Sequence, residues 1–225
     1  MASATTRAAE GPDTTSVRGP RHVAFIVDGN RRWARIHGVS TEEGHAVGAR
    51  KIVEVLGWWN EAGVEITSWW VLSPDNLRRP RDELSGLLRI IGELATEVAT
   101  LQRWRVRHIG DPALLPGELA QALRDAQEHT CRVDGPLVNL AVGYGGRRDL
   151  TAAVRHLVTS GAAITARTIS EALATRGDPD PDLLIRTSGE QRLSDFMIWQ
   201  TALTELYFSP VLWPDYTRAE LARAL

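Results

Sequence analysis

The chain has little cysteine and little net charge. Cys131 is the one cysteine among 225 residues, so no intramolecular disulfide can form. A lone thiol is typical of proteins in the reducing cytoplasm, where we expect this one to work, with Cys131 as a buried structural thiol. The formal net charge is −2, which gives no reason to expect binding to nucleic acid.

Long apolar runs are also missing. No stretch approaches the roughly 18 apolar residues of a transmembrane helix, so no membrane span is predicted. Residues 1–20 are rich in Ala, Thr, Ser, Gly and Pro and lack the apolar centre of an export signal. We therefore expect a disordered tail there. Residues 21–225 are enough for one domain with a real hydrophobic core.

Alternating strand and helix patterns fill those residues. Short apolar, β-rich runs predict strands at residues 22–27, 64–72, 106–109, 137–142 and 183–185. Apolar residues at helical spacing predict helices between them, including one capped by Asp82, one from Glu118 to Cys131 and a last one that Thr217 begins. Strands that alternate with helices predict an α/β domain with a mainly parallel sheet.

Polar segments follow four of the predicted strands, at residues 28–32, 73–79, 143–147 and 186–194. In open α/β sheets, ligands bind beyond the carboxyl ends of the strands. We therefore expect these four segments to form one site. The third segment is a glycine-rich turn that matches neither a P-loop nor a dinucleotide-binding motif.

The residue types in these segments suit a phosphate ester. Asp28 stands beside a glycine and two arginines, Arg31 and Arg32. Arginine and backbone N–H groups bind phosphate, which a carboxylate repels unless a metal such as Mg²⁺ bridges the two. Arg186 and Arg192, with Ser and Thr between them, suit a diphosphate better than a single ion pair. A helix cap with surface arginines is the alternative for the first segment.

A set of ordered motifs resembles the cis-prenyltransferase, or undecaprenyl diphosphate synthase, family. The motifs are HVAFIVDGNRRWA at 22–34, GH at 44–45, SPDNLRRP at 73–80, VGYGGRRDL at 142–150, DPDLLIRTSGEQRLSDF at 180–196 and WQTALTELYFSPVLWPD at 199–215. The resemblance implies a parallel sheet ringed by helices, a hydrophobic tunnel and a homodimer. It also implies Mg²⁺-dependent prenyl transfer from an allylic diphosphate to isopentenyl diphosphate. Within the family, the sequence resembles the short-chain (2Z)-prenyl diphosphate synthases.

The resemblance also assigns roles by position. Asp28 would bind Mg²⁺ and position the leaving diphosphate, and Trp33 would cover the allylic chain. The first diphosphate would lie against Gly29, Asn30, Arg32 and His45. Near the reacting centre would lie Ser73, Asn76 and Arg79. The second diphosphate would be held by Arg186, Arg192 and Ser194. Glu205 would reach a metal in the neighbouring subunit. The proton-accepting base stays open among Asp28, His45, the Ser73 and Asn76 pair and diphosphate itself.

The chain departs from the family pattern at several positions. Long-chain members usually carry Gly where this chain has Arg31. Thr41 replaces an arginine that often contacts the first diphosphate in the family, and Gln191 replaces a common histidine. Pro74 adds a proline to the usual Ser-Ser/Thr-Glu-Asn segment, and the sequence ends at Leu225 before the Arg-x-Gly ending usual in the family. These departures leave two alternatives open: irregular coupling or transfer to a small aromatic acceptor, and a non-catalytic partner subunit.

The tryptophans predict a short product. The chain has 8 Trp against 3 Tyr and 3 Phe, and two pairs, Trp58-Trp59 and Trp69-Trp70, fall on the helix and strand that resemble the tunnel wall. Adjacent strand residues face opposite sides, so one of Trp69 and Trp70 should point toward the tunnel. Because a large ring fills space that a growing chain needs, we expect products of about ten to fifteen carbons.

Overall fold

The computed structural model describes residues 19–225, so the tail predicted for residues 1–20 lies almost wholly outside the described residues. The sheet strands are β1 His22–Ile26, β2 Ile66–Leu72, β3 Arg105–Ile109, β4 Leu137–Val142, β5 Leu183–Arg186 and β6 Glu205–Phe208. They form one sheet in the order β3-β4-β2-β1-β5-β6, and every neighbouring pair is parallel. The predicted α/β fold with a parallel sheet is therefore confirmed.

Helices connect the strands on both sides of the sheet. They are α1 Asn30–His37, α2 Thr41–Glu61, α3 Arg81–Thr100, α4 Gly117–His129, α5 Gly146–Ser160, α6 Ala166–Ala172 and α7 Arg218–Ala224. Short 3₁₀ turns lie at Pro74–Arg78, Pro112–Leu114 and Trp213–Asp215. Among residues 19–225, no helix is long and apolar enough to cross a membrane.

Two local predictions were wrong, and one strand was missed. α3 begins at Arg81 with Pro80 as its N-cap, so Asp82 lies inside the first turn instead of capping it. Cys131 is exposed, because it follows the end of α4 instead of lying on the buried face of that helix. The sequence also gave no prediction of β6, whose four residues are too few to show a strand pattern.

β1 lies at the centre of the sheet and separates two hydrophobic cores. Val23 and Phe25 point to the larger core, under α2, α3 and α4. Ala24 and Ile26 point to the smaller one, beside Tyr144 and Phe196. This alternation is the period of two that a strand imposes, and burial on both faces explains why β1 is apolar throughout.

Two glycines bring α1 close to α2. A Cβ at Gly44 would lie 2.6 Å from the backbone oxygen of Asn30, and one at Gly48 would lie 2.2 Å from its side-chain Oδ1. A larger residue at position 44 would push α1 away, because its contact is with backbone, and one at position 48 would displace the Asn30 side chain. The two glycines therefore fix the start of α1 at the carboxyl end of β1.

The paired tryptophans divide between inside and outside. Trp69 is fully buried and stacks on Phe25 with ring centroids 4.4 Å apart, whereas Trp70 lies on the other face of the sheet beside Phe196. Trp59 is buried in the larger core. Trp58 is partly exposed. The opposite orientation of Trp69 and Trp70 agrees with the prediction from strand alternation.

Candidate active site

A cavity of about 630 Å³ opens at the carboxyl ends of β1, β2 and β5. We call it the polar cavity. The predicted site residues that line it are Asp28, Gly29, Asn30, Arg32, His45, Ser73, Asn76, Arg79, Arg186 and Ser194. Three of the four polar segments predicted to converge therefore do so, and the structure brings them together from distant parts of the chain.

Asp28 and Arg186 form an ion pair at the base of the polar cavity. The Arg186 Nη2 group lies 2.9 Å from Asp28 Oδ2, and the arginine side chain is 4% exposed. Its Nη1 donates to the Arg192 carbonyl at 2.6 Å and to Ser194 Oγ at 2.7 Å. The Thr187 hydroxyl accepts from the Asp28 N–H at 3.0 Å and donates to the Asp28 carbonyl at 2.7 Å. These contacts fix both charged groups before any ligand binds.

The first turn of α1 offers free N–H groups to the polar cavity. The first N–H groups of any helix have no partner within it, and no side chain caps α1 among the described residues. The first three residues of α1, with the N-cap Gly29, line the cavity. Gly29 has φ 117, and a Cβ there would lie 3.0 Å from the Cα of Leu212. An anion suits this position, because N–H groups and the helix dipole both attract negative charge.

His45 and Arg79 lie next to each other in the lining of the polar cavity. Arg79 Nη1 lies 3.3 Å from His45 Nε2, which accepts its hydrogen bond. Burial, together with the nearby positive charges of Arg79 and Arg31, lowers the pKa of His45 to about 4. His45 is therefore neutral at pH 7. Arg79 also pairs with Glu83 at 3.2 Å.

Ser73 and Asn76 hold each other in a reciprocal cap at the end of β2. The Asn76 N–H donates to Ser73 Oγ at 3.2 Å, and the Ser73 N–H donates to Asn76 Oδ1 at 3.3 Å. Pro74 occupies the first position of the 3₁₀ turn, where its missing N–H costs nothing. In the part of the chain that is described, the Ser73 hydroxyl proton and the Asn76 amide N–H groups remain free to bind a ligand.

Other predicted residues lie elsewhere. The Trp33 indole N–H donates to Asp215 Oδ1 at 2.7 Å, and Trp33 is absent from the cavity lining. The Arg192 side chain is exposed and pairs with Glu190, so only its carbonyl contacts the site. The fourth polar segment, 143–147, does not join the cavity either. Its helix terminus is occupied by Asp195, whose Oδ1 accepts from the Arg147 N–H at 3.0 Å.

Sequence reasoning placed Arg31 in the first polar segment but gave it no role by position, and it did not include Arg35 at all. Arg31 and Arg35 both line the polar cavity. They lie one helical turn apart on α1, and the spacing of four between them is a signal that would have placed them on one face with the start of the helix. Together they make this wall strongly positive.

A second, narrower cavity of about 30 Å³ lies between α2 and α3 and shares lining residues with the first. We call it the apolar cavity. Its apolar walls are Val27, Ala49, Ile52, Val71, Leu87, Ile90, Ile91, Leu94 and Trp213. Of the two tryptophans on β2, neither lines the apolar cavity, although one of them was predicted to, and Trp70 lines the polar cavity instead. Trp69 instead packs against Trp213 from behind, with ring centroids 5.8 Å apart.

Comparison with known proteins identifies the family of the chain. The family model described as "Putative undecaprenyl diphosphate synthase" matches residues 26–225. The chain belongs to the undecaprenyl diphosphate synthase family, a family of prenyltransferases. This confirms the resemblance found in the motifs.

Three similar proteins show where in the family the chain falls. It is 48% identical to the (2Z,6E)-farnesyl diphosphate synthase of Thermobifida fusca, over 92% of this chain and 85% of that protein. It is 46% identical to isoprenyl transferase 1 of Streptomyces avermitilis, over 92% of this chain and 84% of that protein. The crystal structure of lavandulyl diphosphate synthase from Lavandula x intermedia, in complex with dimethylallyl diphosphate, superposes with a TM-score of 0.85 at 37% identity, covering 91% of this chain and 93% of that one.

Glu205 lies at the wrong end of the sheet to meet Asp28 within one chain. In the sheet register, Glu205 pairs with Leu183 of β5. Leu183 in turn pairs with Val23, near the start of β1. Asp28 follows the other end of β1, five residues further, which is about 16 Å at the rise of a strand. Glu205 is exposed on the edge strand. A role for it in a prenyltransferase site of this family therefore requires a second chain.

The donor set of the polar cavity fits a magnesium ion held largely by a substrate. Among residues 19–225, no group of three or more His, Cys, Asp or Glu side chains is placed to hold a metal. Asp28 is the one carboxylate in the cavity lining, and Arg186 occupies one of its oxygens. Mg²⁺ often uses one carboxylate, water and substrate phosphate oxygens, so this single carboxylate is compatible with it.

Proposed function

We propose that the protein is a short-chain cis-prenyl diphosphate synthase that condenses an allylic diphosphate with isopentenyl diphosphate and depends on Mg²⁺. One observation carries the proposal: the polar cavity, with a buried ion pair and a free helix terminus, adjoins a narrow apolar cavity. A diphosphate with a hydrocarbon chain is the ligand whose two ends match these two environments. The curated relatives with short-chain names support the same activity.

The residues of the polar cavity divide between two diphosphates. The α1 N–H groups and Arg32 would bind the allylic diphosphate, whose negative charge grows as its C–O bond breaks. Mg²⁺, bound to Asp28 and phosphate oxygens, would supply further positive charge there. Arg186 and Ser194 would bind the second diphosphate. Because these groups are fixed by their own hydrogen bonds, they stabilise charge and position the acceptor double bond with little rearrangement.

His45 serves this reaction as a neutral hydrogen-bonding group and not as the base. Its Nε2 already accepts from Arg79. Burial and two neighbouring arginines lower the pKa of His45 to about 4, which makes it a weak proton acceptor. The proton lost from the acceptor then goes to a diphosphate oxygen, to Asp28 or to a group in the Ser73 and Asn76 cluster. In either case His45 contributes by orienting Arg79.

The narrowness of the apolar cavity supports a short product, for which we propose about ten to fifteen carbons. At about 30 Å³ it holds little free space, and Trp69 supports its Trp213 wall from behind. Close-packed aromatic rings resist displacement, so a growing chain cannot push past them without disturbing the core. Trp58 lies outside this arrangement.

The direct test supplies labelled isopentenyl diphosphate with dimethylallyl, geranyl or farnesyl diphosphate, and identifies products by mass spectrometry. We expect products of about ten to fifteen carbons, formed only when Mg²⁺ is present. Products beyond roughly twenty carbons would contradict the short-chain assignment, and the absence of any condensation would contradict the activity itself.

We further propose that the protein works as a homodimer in which Glu205 of each subunit completes the partner's metal site. The exposed edge strand β6 and its neighbour Leu203, 98% exposed, support an interface there. Asp28→Ala and Glu205→Ala homodimers should each be nearly inactive. Mixing them should restore part of the activity, because some heterodimers carry one intact site. Active Glu205→Ala homodimers, or mixtures without recovery, would count against shared sites.

Irregular coupling is a second candidate, favoured by the close structural match to a lavandulyl diphosphate synthase. In that case two molecules of dimethylallyl diphosphate would join without isopentenyl diphosphate. The discriminating measurement is the release of inorganic diphosphate from dimethylallyl diphosphate alone. Regular elongation releases none, whereas irregular coupling releases diphosphate and gives a ten-carbon product.

A further inference from the structure

Three charged residues link α1 to α3 beside the polar cavity. Glu83 Oε1 lies 3.2 Å from Arg79 Nη1 and 3.5 Å from Arg31 Nε. One carboxylate oxygen therefore serves two guanidinium groups that come from different segments. We call Arg31, Arg79 and Glu83 the clasp.

The clasp carries more positive than negative charge. On the other wall, Arg186 is matched by Asp28, which is the one acidic residue in the lining of the polar cavity. In the clasp, one carboxylate faces two arginines. His45, which contacts Arg79, is neutral at pH 7 and does not change the balance. The clasp therefore has positive charge left to bind an anion, beside Arg32 and Arg35, which also line the cavity.

The order of the groups directs that charge into the cavity. Arg31 and Arg79 line the cavity, whereas Glu83 does not and is only 15% exposed. The two arginines thus lie between the carboxylate and the cavity. Arg31 is 61% exposed and lies in the first turn of α1, the turn whose free N–H groups attract an anion. An anion at that turn would be within reach of the Arg31 side chain.

We propose that Arg31 is a diphosphate-binding residue and that Glu83 is a resident counter-anion which competes with the diphosphate for the clasp arginines. The identity of the anion as diphosphate rests on the proposed function. When diphosphate binds, Arg31 exchanges its contact with Glu83 for phosphate oxygens. When product diphosphate leaves, Arg31 returns to its contact with Glu83. This exchange lowers the barrier to release of the diphosphate.

The test measures binding of inorganic diphosphate to the full chain by isothermal titration calorimetry, without substrate turnover. Arg31→Gln should weaken binding about tenfold, the effect of losing one charge-assisted contact. Glu83→Gln should tighten it by about three- to tenfold, because the competitor is gone. In the Arg31→Gln background, the effect of Glu83→Gln should shrink. Arg89→Gln is the matched control, since Arg89 pairs with Glu42 and Glu93 outside the cavity.

The opposite results would overturn the proposal. Unchanged binding in Arg31→Gln would remove Arg31 from the site, and weaker binding in Glu83→Gln would make Glu83 a support for the arginines and not their competitor. Thermal unfolding of each variant excludes a folding defect as the cause. Because inorganic diphosphate is the probe, the outcome is independent of prenyl transfer: a wild type that binds diphosphate but transfers no prenyl group would refute the proposed function and leave this inference standing.

Discussion

The two cavities share lining residues, but different interactions determine their properties. The polar cavity depends on fixed contacts of charged groups, such as the 2.9 Å pair between Asp28 and Arg186. The apolar cavity depends on how much space its side chains leave, about 30 Å³ against about 630 Å³. His45 and Asn30 line both. We therefore expect changes in the polar cavity to alter rate, and changes behind the apolar cavity to alter product length.

Asp28→Ala tests the polar side with the largest expected effect. It removes the proposed metal ligand and leaves the buried Arg186 without its partner, so we expect kcat/KM to fall by about 1,000-fold or more. Single-turnover assays with labelled isopentenyl diphosphate measure the loss. Asp75→Ala is the matched control, because Asp75 is exposed and does not line the cavity. A loss of less than tenfold in Asp28→Ala would remove the carboxylate from the reaction.

Trp69→Leu tests the apolar side. The smaller side chain frees space behind Trp213, so products about one or two five-carbon units longer should appear while kcat/KM for the first condensation stays near wild type. The substitution should also cost about 2–4 kcal/mol of stability. Product analysis by mass spectrometry and urea unfolding measure the two effects.

Trp104→Leu separates those two effects. Trp104 is equally buried in the larger core, but it precedes β3 at the end of the sheet away from both cavities. It should lose similar stability with no change in product. If Trp104→Leu lengthened the product as well, general loosening of the core and not the space behind Trp213 would set chain length.

His45 lines both cavities, and the pH dependence of protein stability tests whether it is held neutral there. Burial and two arginines lower its pKa from 6.5 in the unfolded chain to about 4 when folded. The unfolded state then binds more protons between these values, so stability is complete above pH 6.5 and is lost as the pH falls toward 4. At pH 5 this amounts to about 2 kcal/mol, most of which should be absent in His45→Gln. Urea unfolding at pH 7 and pH 5 measures it; equal slopes for both proteins would show that His45 is not held neutral.

The polar cavity could be predicted from sequence far better than the apolar one. Asp28, Ser73 and Arg186 follow strands directly, and parallel strands bring such residues to one edge whatever the details of packing. The segment at 143–147 met the same rule but is capped by Asp195, a contact between residues about fifty positions apart that no local pattern reveals. Exposure of Cys131 depended on where α4 ends.

The apolar side could be predicted only in part, for a related reason. Alternation placed Trp69 and Trp70 on opposite faces, but it could not say which ring adjoins a cavity. That depends on distant residues that pack around each ring, Phe25 and Trp213 for Trp69 and Phe196 for Trp70. The wall residue Trp213 lies far along the chain, and its hydrogen bond to the Gly48 carbonyl, at 2.8 Å, helps to hold it beside α2.

Trp33→Ala has the smallest expected effect. It tests whether the Trp33 ring, which does not line the polar cavity, contributes to substrate binding there. The resemblance implies that Trp33 covers the allylic chain, yet its ring stacks on His37 at 4.0 Å and its N–H binds Asp215. If this arrangement persists when substrate binds, the change should cost about 1 kcal/mol of stability and alter KM for the allylic substrate by less than about threefold. His37→Ala, which removes only the stacking partner, is the control. A KM increase above about tenfold in Trp33→Ala alone would mean that the ring turns toward the cavity and joins the polar side.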